Sequence, residues 1–271
     1  MKTAFLLTDM LTTLLVSREF PSYRKAVFIL RYIYDLFYNL TSSSQVKTFH
    51  FIDGKKFKYF GIHKNLLLDH IYNHLKYYSK YYTWAEVVVD VGASFGTFST
   101  MVHYLNPNCD IYSVEMDRTS FDLLKDNCTG IDKIHLFHNA VGDKNIQIGY
   151  YFNSSYPEGS QIGGRKDGQY KKVNQVTLDH LVELNHIRNI SLLKIDTEGY
   201  EMHVLKGAHQ TLLISDCVII ETDISPPNFT SVLRVMIMHG FNLINFGVIN
   251  YDRDRIGSLD LIFKKKTNAT N

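Results

Sequence analysis

The amino-acid sequence predicts an α/β fold of the Rossmann-like type, in which helices cover both faces of a mostly parallel sheet. Residues 87–91 form a β-branched run that is apolar on both faces, as expected of a central parallel strand. A turn of small residues follows, and residues 97–105 have the pattern of a helix. Strand and helix patterns then alternate toward the C-terminus, which predicts right-handed crossovers between parallel strands.

One domain accounts for most of the chain. The sequence has 271 residues, of which 45% are hydrophobic and 21% are charged, a composition that is ordinary for a soluble globular protein. We predict an N-terminal helical extension over residues 1–45 and a domain over residues 46–271. The core of this domain is expected to cover residues 85–265, and no internal repeat suggests a second one.

The cysteines and the charge distribution bear on the cellular setting. Cys109, Cys128 and Cys217 are few, odd in number and not spaced like metal ligands, which favours a reducing, cytoplasmic compartment. Residues 1–85 carry 12 Lys or Arg against 5 Asp or Glu. This basic part either meets an anionic partner or forms an ordinary solvated surface.

Two helices are predicted in the extension. Residues 3–16 are apolar but interrupted by threonines and an aspartate, so the run is too short and too polar to span a membrane. It is interpreted as a helix or as an uncleaved targeting signal. Residues 22–40 carry apolar side chains near helical spacing. This second helix is expected to pack against the domain or a second subunit, or to lie on a membrane surface.

A hairpin and a helix are predicted to connect the extension to the core. Residues 49–59 predict a β-hairpin, because Asp53-Gly54 is a turn signal between two strand-like runs. Residues 66–82 predict an aromatic-rich helix that leads to the first core strand. The tyrosines of this helix are not densely interleaved with basic residues, so we expect no nucleic-acid partner.

The turn after residues 87–91 predicts a nucleotide-binding strand–loop–helix unit. Gly92 and Gly96 let the backbone approach a ligand, and the next helix directs its first N–H groups toward it. Asp90 would repel the pyrophosphate of a dinucleotide but attract the sulfonium and ammonium groups of S-adenosylmethionine. Glu115 ends the next strand, 23 residues after Gly92, where an acid accepts hydrogen bonds from both ribose hydroxyls. The predicted cofactor is therefore S-adenosylmethionine, bound by Asp90, Gly92, Ala93, Ser94, Gly96 and Glu115.

The rest of the chain continues the alternation with one inserted strand and one long loop. The predicted strands are residues 110–115, 134–138, 146–152, 173–176, 191–196, 217–221, 241–246 and 259–264. The predicted helices are residues 119–128, 178–184, 200–214 and 229–240. The last two strands are expected to form an antiparallel hairpin joined by residues 247–258. Residues 153–169 are polar and contain glycines, which predicts a mobile loop that is either an ordinary surface loop or a substrate lid.

Polar residues mark the carboxyl ends of the predicted strands, where open α/β sheets bind their ligands. Asn139 and Ala140 form a third turn on this edge and are predicted to contact the adenine of the cofactor. So many acids on one edge suit a cationic cofactor. The predicted rim consists of Asp90, Glu115, Asn139, Asp196 and Glu221, with Glu198 in the loop that follows.

The most specific motif lies in the fourth predicted core strand and the helix after it. Residues 193–201 read Leu-Lys-Ile-Asp-Thr-Glu-Gly-Tyr-Glu, and residues 204–208 read Val-Leu-Lys-Gly-Ala. These motifs resemble the signature of the FkbM family of S-adenosylmethionine-dependent methyltransferases, Lys-Ile-Asp-x-Glu-Gly-x-Glu followed by Val-Leu-x-Gly-Ala. The resemblance covers approximately residues 60–245 and includes the Asp-Val-Gly-Ala opening at residues 90–93. Ser94-Phe95 departs from the family's usual Asn and small aliphatic residue, although Ser94 keeps a polar group in the loop.

The resemblance implies a class I methyltransferase fold and transfer of a methyl group to a hydroxyl of a sugar, glycan or small metabolite. Because the sulfonium methyl is already electrophilic, the enzyme chiefly aligns the hydroxyl, and a base then removes its proton. Asp196 is the first candidate for this base, since it ends the central strand, and Glu198 is the second. Glu198 and Glu201 are alternatively interpreted as residues that cap the next helix. A divalent ion held by Asp196 and Glu221 is a further alternative, although hard-cation sites need more ligands than the sequence indicates.

Two other functions fit parts of the sequence. An RNA ribose 2′-O-methyltransferase shares the predicted fold, but its Lys-Asp-Lys-Glu tetrad requires a lysine well after Asp196. The sequence has no lysine between Lys206 and Lys264, which disfavours this function. A catalytically silent module that binds a partner through residues 1–40 would have no affinity for S-adenosylmethionine. A cofactor titration separates this module from an enzyme.

Overall fold

The computed structural model describes residues 46–50, 56–60, 73–152, 162, 169–224, 227–252 and 255–266. Within these ranges the strands are β1 (Val46–His50), β2 (Lys56–Phe60), β3 (Val87–Val91), β4 (Asp110–Glu115), β5 (Ile134–His138), β6 (Ala140–Val141), β7 (Ile146–Phe152), β8 (Gln169–Val176), β9 (Ile190–Ile195), β10 (Ser215–Asp223), β11 (Phe241–Asp252) and β12 (Arg255–Lys265). A π-helical turn over His74–Tyr78 precedes the helices, which are α1 (Ser79–Tyr82), α2 (Thr97–Leu105), α3 (Arg118–Asn127), α4 (Leu178–Leu184), α5 (Glu201–Lys206), α6 (His209–Leu213) and α7 (Asn228–Met238).

Seven strands form the central sheet in the order β11-β12-β10-β9-β3-β4-β5. The pairs from β10 to β5 are parallel, whereas β12 is antiparallel to both β10 and β11. The predicted α/β fold with a mostly parallel sheet and an antiparallel end is therefore confirmed. The strand order reverses between β3 and β9, and the carboxyl edge at such a switch point is where open α/β sheets bind ligands.

Helices pack on both faces of this sheet, because its central strands are apolar on both sides. In β3, the fully buried Val89 belongs to a core cluster with side chains of α4, α5, α6 and α7. The adjacent Val88 points the other way and packs with side chains of α1, α2 and α3. In β9, Leu193 belongs to the first of these clusters and Leu192 belongs to the second. The continuous hydrophobic runs of β3 and β9 thus produce a three-layer domain.

A small second sheet confirms the predicted inserted strand. β7 pairs antiparallel with β8, and β6 lies on the other side of β8. β8 begins at Gln169, earlier than the predicted start at Val173. Of the predicted mobile loop at residues 153–169, the structure describes only Ile162 and Gln169. The role of this loop as a lid stays a prediction.

The predicted connection over residues 247–258 is wrong. β11 continues to Asp252 and β12 already begins at Arg255, so most of this segment is strand. Gly247, the first residue of the predicted connection, lies within β11, and a Cβ at this position would lie 2.8 Å from Cε1 of Tyr78. The glycine therefore permits a close approach, and register shifts between Phe246 and Ile249 let the long hairpin bend over the carboxyl edge.

The single predicted helix over residues 200–214 is also wrong, because it is divided into α5 and α6. The division lies at Gly207, where a Cβ would lie 2.1 Å from the carbonyl oxygen of Gly142. Asp179 accepts hydrogen bonds from the backbone N–H groups of Gln210 and Thr211, at 3.1 and 2.7 Å, and so satisfies the start of α6. The side chain of Asp179, which is distant in the sequence, therefore stabilises the start of α6.

Several predictions at the N-terminal side fall partly or wholly outside the described residues. The helical extension over residues 1–45 lies outside them, as does the Asp53-Gly54 turn. The strands on either side of that turn do pair antiparallel, with His50 opposite Lys56. Across the part of the chain that the structure describes, every helix is too short or too polar to cross a membrane.

Candidate active site

The glycine-containing loop after β3 is fixed by its backbone. The N–H groups of Gly92 and Ala93 both donate to the carbonyl oxygen of Val114 in β4, each at 3.0 Å. Gly92 has a φ of +82°, and a Cβ there would lie 1.7 Å from the carbonyl oxygen of Asp196. Only glycine can satisfy both constraints. The loop therefore lies directly against the end of β9 and brings Asp196 beside it.

Glu115 closes the other side of this loop. Its Oε2 accepts a hydrogen bond from the Ser94 N–H at 2.8 Å, and its Oε1 accepts one from the Asp117 N–H at 2.6 Å. Burial raises the pKa of Glu115 to about 7, although these two backbone donors oppose the shift. The Ser94 Oγ is buried and has no hydrogen-bond partner among the described residues. The loop thus offers an unused hydroxyl beside a fixed carboxylate.

Asp90 and Gly96, both predicted to contact the cofactor, lie behind the cavity wall. Asp90 is 0% exposed and accepts a hydrogen bond from the Ser99 hydroxyl at 2.6 Å. Gly96 has a φ of +90°, and a Cβ there would lie 2.6 Å from Cδ1 of Leu124. Gly96 therefore lets α2 and α3 approach each other, while Asp90 can influence the cavity only through its charge.

Lys194 lines the cavity and links Asp90 electrostatically to Asp196. Its Nζ lies 2.9 Å from Oδ2 of Asp196 and 3.9 Å from Oδ1 of Asp90. Burial alone would lower the pKa of Lys194, but Asp196 and Asp90 raise it above its usual value. Lys194 is consequently cationic over the physiological range and bridges the buried aspartate to the one at the strand end.

Glu198 and Glu201 separate into a cavity residue and a structural residue. Glu201 accepts hydrogen bonds from the N–H groups of Thr197 and Gly199, at 3.2 and 2.9 Å, and so holds the turn before α5. Glu198 has a left-handed backbone with a φ of +53° and lines the cavity. Burial, with the charges of Asp196 and Glu201, raises its pKa to about 8. The capping interpretation therefore suits Glu201 and not Glu198.

Two further acids reach the site from β10 and β12. Glu221 accepts hydrogen bonds from the Ser258 hydroxyl at 2.6 Å and from the Asn250 amide at 3.0 Å. The charge of Asp196, with burial, raises the pKa of Glu221 to about 10. Asp260 accepts hydrogen bonds from the hydroxyl of Tyr78 and from a backbone N–H at 3.2 Å. Burial raises the pKa of Asp260 to about 6.

The cluster has the composition of a possible cation site. Carboxylate oxygens of Asp196, Glu198 and Glu221 lie within 4.8 Å of one another. Oxygen-rich clusters of this kind suit Mg²⁺ or Ca²⁺, which however take six or more oxygen ligands. The fold thus brings the predicted pair Asp196 and Glu221 together, and Glu198 lies beside them. Metal binding by these residues stays an alternative.

One cavity of about 660 Å³ joins these groups. It brings together the predicted residues Gly92, Ala93, Ser94, Glu115, Asn139, Ala140, Asp196, Glu198 and Glu221. It also contains Lys194, which lies in the strand-end motif and which the sequence indicates as a cation that balances the acidic rim. Four further lining residues were not indicated by the sequence, namely Tyr78, Asn250, Ser258 and Asp260. They come from a distant turn and from the mispredicted hairpin, and no local signal marks them.

Comparison with known proteins assigns the chain to a recognised sequence family. The family model described as the methyltransferase FkbM domain matches residues 90–243. Methyltransferase 1 of Beauveria bassiana is 23% identical over 205 residues, which are 66% of this chain and 80% of that protein. The hexuronic acid methyltransferase AglP of Haloferax volcanii is 24% identical over 155 residues, which are 55% of this chain and 61% of that protein.

Solved structures resemble the model more distantly. The structure of M. jannaschii TYW2 in complex with AdoMet has a TM-score of 0.44 and 11% sequence identity, and the alignment covers 83% of this chain and 89% of that one. M. capricolum TrmK in complex with S-adenosylhomocysteine also has a TM-score of 0.44 and 11% identity. That alignment covers 69% of this chain and 67% of the other.

Proposed function

The chain belongs to the FkbM family of S-adenosylmethionine-dependent methyltransferases, and we propose that it transfers a methyl group to a hydroxyl of a sugar, glycan or small metabolite. The observation that carries this proposal is the position of Asp196, whose backbone carbonyl lies against Gly92 and whose carboxylate lies within 4.8 Å of those of Glu198 and Glu221. The name of the archaeal relative, a hexuronic acid methyltransferase, supports an acceptor of the sugar class.

The residues of the glycine-containing loop fit the methyl donor. Gly92 lets the loop lie against the end of β9, and Ser94 has a buried hydroxyl with no hydrogen-bond partner among the described residues. Two backbone N–H groups hold Glu115 beside this loop. We expect Glu115 to accept hydrogen bonds from the ribose and Asn139 with Ala140 to contact the adenine. Bound there, S-adenosylmethionine would supply a methyl group that its sulfonium makes electrophilic. The surrounding carboxylates favour that positive charge.

Asp196 is the group that can remove the acceptor's proton. Methyl transfer to the hydroxyl oxygen would release neutral S-adenosylhomocysteine and would leave the hydroxyl proton to be removed. The hydroxyl proton then passes to a carboxylate oxygen of Asp196. The charge of Asp196, together with burial, raises the pKa of the neighbouring Glu221. Lys194 fixes the orientation of Asp196 through the 2.9 Å contact.

The substitution Asp196→Asn tests this role. It preserves the shape of the side chain but removes the base, so we expect methyl transfer to fall by roughly 10²–10⁴-fold. Binding of S-adenosylhomocysteine should change little, because the loop is untouched. The measurement is transfer of a tritiated methyl group in a screen of glycans, small hydroxylated metabolites and RNA, with the best acceptor used for both proteins.

The matched control is Asp132→Asn, which neutralises an exposed aspartate that does not line the cavity. This variant should keep the transfer rate of the unmodified protein. Equal rates for Asp196→Asn and the unmodified protein would show that Asp196 is not the base that removes the acceptor's proton. The same test would then be applied to Glu198. Label found in RNA, with none in sugars or metabolites, would contradict the proposed acceptor class.

A further inference from the structure

A row of polar side chains crosses the central sheet beneath the cavity. Ser113 in β4, Asp90 in β3 and Lys194 in β9 are paired in register, so their side chains project from the same face. Asp196 comes two residues after Lys194, directly beyond the end of β9, and therefore continues the row on this face. The row leads from the interior of the sheet to the residue that we propose as the base.

Hydrogen bonds fix the inner end of this row. The Ser99 hydroxyl, from α2, donates to Oδ2 of Asp90 at 2.6 Å, and its oxygen lies 2.7 Å from the hydroxyl oxygen of Ser113. Because a hydroxyl has one proton to donate, Ser113 must be the donor to Ser99. All three residues are 0% exposed. Asp90 is thus held in one orientation, and no solvent reaches its carboxylate.

The other oxygen of Asp90 lacks a hydrogen bond. Of the buried carboxylate oxygens in the part of the chain that the structure describes, Oδ1 of Asp90 is the one without a hydrogen-bond partner. The Nζ of Lys194 lies 3.9 Å from it, which is beyond hydrogen-bonding distance. A buried acceptor that stays unpaired destabilises a fold. This penalty disappears in any state of the enzyme in which Oδ1 is paired.

Lys194 is the donor that can reach both aspartates. Its Nζ lies 2.9 Å from Oδ2 of Asp196, so a shift of about 1 Å toward Asp90 would exchange one contact for the other. Its stem of four methylene groups is flexible enough for this shift. Asp260 also attracts Lys194 by its charge, but Oδ2 of Asp260 already accepts hydrogen bonds from Tyr78 and from a backbone N–H. Asp90 therefore offers the open position.

Proton transfer to Asp196 changes which aspartate attracts Lys194 more strongly. While Asp196 is ionised, the shorter contact holds the ammonium group beside it. Once the hydroxyl proton of the acceptor has passed to Asp196, that carboxyl group is neutral and its attraction for Lys194 falls. Burial raises the pKa of Asp90, but the charge of Lys194 and the Ser99 hydroxyl oppose this shift. Closer contact with Lys194 thus favours the ionised form of Asp90.

We propose, resting on the function proposed above, that Asp90 is a positioning residue that receives the ammonium group of Lys194 when Asp196 takes up the hydroxyl proton. Positive charge then follows negative charge along the row, and no buried charge is left without a partner. Ser99 and Ser113 keep Asp90 oriented toward Lys194. Asp90 acts on the base through Lys194 and makes none of the cofactor contacts predicted for it from the sequence.

The substitution Asp196→Asn imitates the protonated base, because an amide is neutral and has the shape of a carboxyl group. Crystal structures of this variant and of the unmodified chain, both with S-adenosylhomocysteine, show where Lys194 lies. We expect its Nζ within about 3.2 Å of Oδ1 of Asp90 in the variant, and beside Asp196 in the unmodified protein. A lysine that stays beside residue 196 in both structures would overturn the proposal, as would contact between Asp90 and S-adenosylhomocysteine.

Kinetics test the same role in a second way. Asp90→Asn removes the receiving charge, and Ser99→Ala is a milder change that removes the hydrogen bond orienting it. We expect kcat for the best acceptor of the screen above to fall roughly tenfold or more in Asp90→Asn and several-fold in Ser99→Ala, with KM and the affinity for S-adenosylhomocysteine within about twofold. Weaker binding of S-adenosylhomocysteine with an unchanged kcat would make Asp90 a cofactor ligand and overturn the proposal.

The matched control is Ser215→Ala. It removes another buried hydroxyl of the sheet, which donates to the carbonyl oxygen of Thr211 at 2.7 Å and has no contact with the row. This variant should retain the kcat of the unmodified protein. An equal loss of kcat in Ser215→Ala and Ser99→Ala would overturn the proposal, because any buried hydroxyl would then have the same effect.

These experiments separate the inference from the function on which it rests. Absence of label in every hydroxyl compound would contradict the function, whereas the two crystal structures would still decide where Lys194 lies. Methyl transfer to a hydroxyl that continues at the full rate in Asp196→Asn would support the function and overturn the inference, because the proton would not pass to Asp196.

Discussion

The cavity has a donor half at the ends of β3, β4 and β5 and an acceptor half at the ends of β9 and β10 and the start of β12, and the two halves are built in different ways. Backbone geometry defines the donor half, where N–H groups of Gly92 and Ala93 bond to β4 and two more N–H groups hold Glu115. Side-chain charge defines the acceptor half, where Glu221 and Asp260 have raised pKa values. Changes in the donor half should therefore alter folding and cofactor affinity, and changes in the acceptor half should alter pH dependence and selectivity.

The largest effect is expected from Gly92→Ala in the donor half. The added Cβ would lie 1.7 Å from the Asp196 carbonyl oxygen, and the φ of +82° is unfavourable for alanine. Overpacking and backbone strain together should lower the free energy of unfolding by about 3 kcal/mol or more. Binding of S-adenosylhomocysteine should be lost, because the loop must move away from β9. Urea unfolding and calorimetric titration measure the two effects.

Gly130→Ala is the matched control, since Gly130 has a φ of +77° and nothing lies within 4 Å of its Cβ position. Only the strain of the left-handed backbone remains at Gly130, so the free energy of unfolding should fall by about 1 kcal/mol. The affinity for S-adenosylhomocysteine should not change. If both variants lost the same stability, contact between the loop and Asp196 would not define the donor half.

Glu115→Gln should have the next largest effect. Both carboxylate oxygens of Glu115 accept backbone hydrogen bonds, and a glutamine would turn an NH₂ group toward one of these donors. We expect the dissociation constant of S-adenosylhomocysteine to rise roughly 10–100-fold. Isothermal titration calorimetry measures this change, with Asp122→Asn as a control at an exposed residue of α3. An unchanged dissociation constant would show that Glu115 supports the loop without binding the ribose.

The two halves also differ in how much of them could be predicted from the sequence. The donor half extends over residues 92–140, and its strands, helix and acid follow from local periodicity and spacing. The strands 110–115 and 134–138 and the helix 97–105 have the predicted bounds. Local patterns suffice here because the loop and its acid are joined by one short crossover.

The acceptor half could be predicted only in part, because its residues are far apart in the chain. Asp196 and Glu198 were indicated by their motif, but Tyr78 and Asp260 are separated by 182 positions and meet through a hydrogen bond. That contact depends on the last hairpin, whose strands are longer than the sequence predicted. The sequence also could not distinguish Asp90, beneath the cavity, from acids that line it, since burial is decided by packing around Ser99 and Lys194.

The smallest effect, taken per pH unit, is on stability as a function of pH and probes the acceptor half directly. The pKa values of Glu198 and Glu221 are raised to about 8 and about 10, by burial for Glu198 and chiefly by Asp196 for Glu221. Between pH 4.5 and these values the folded protein holds protons that the unfolded chain has released, so the free energy of unfolding must decrease as pH rises. Each such proton lowers the free energy of unfolding by about 1.4 kcal/mol per pH unit, and we expect at least this slope between pH 6 and pH 8.5 without ligands. Urea midpoints at a series of pH values measure this slope.

Glu221→Gln removes one of the proton-holding groups and should flatten the slope, whereas Asp216→Asn, at an exposed residue of β10, should not. An equal slope in all three proteins would mean that Glu221 is ionised in the fold, and the contrast between a backbone-defined half and a charge-defined half would fail.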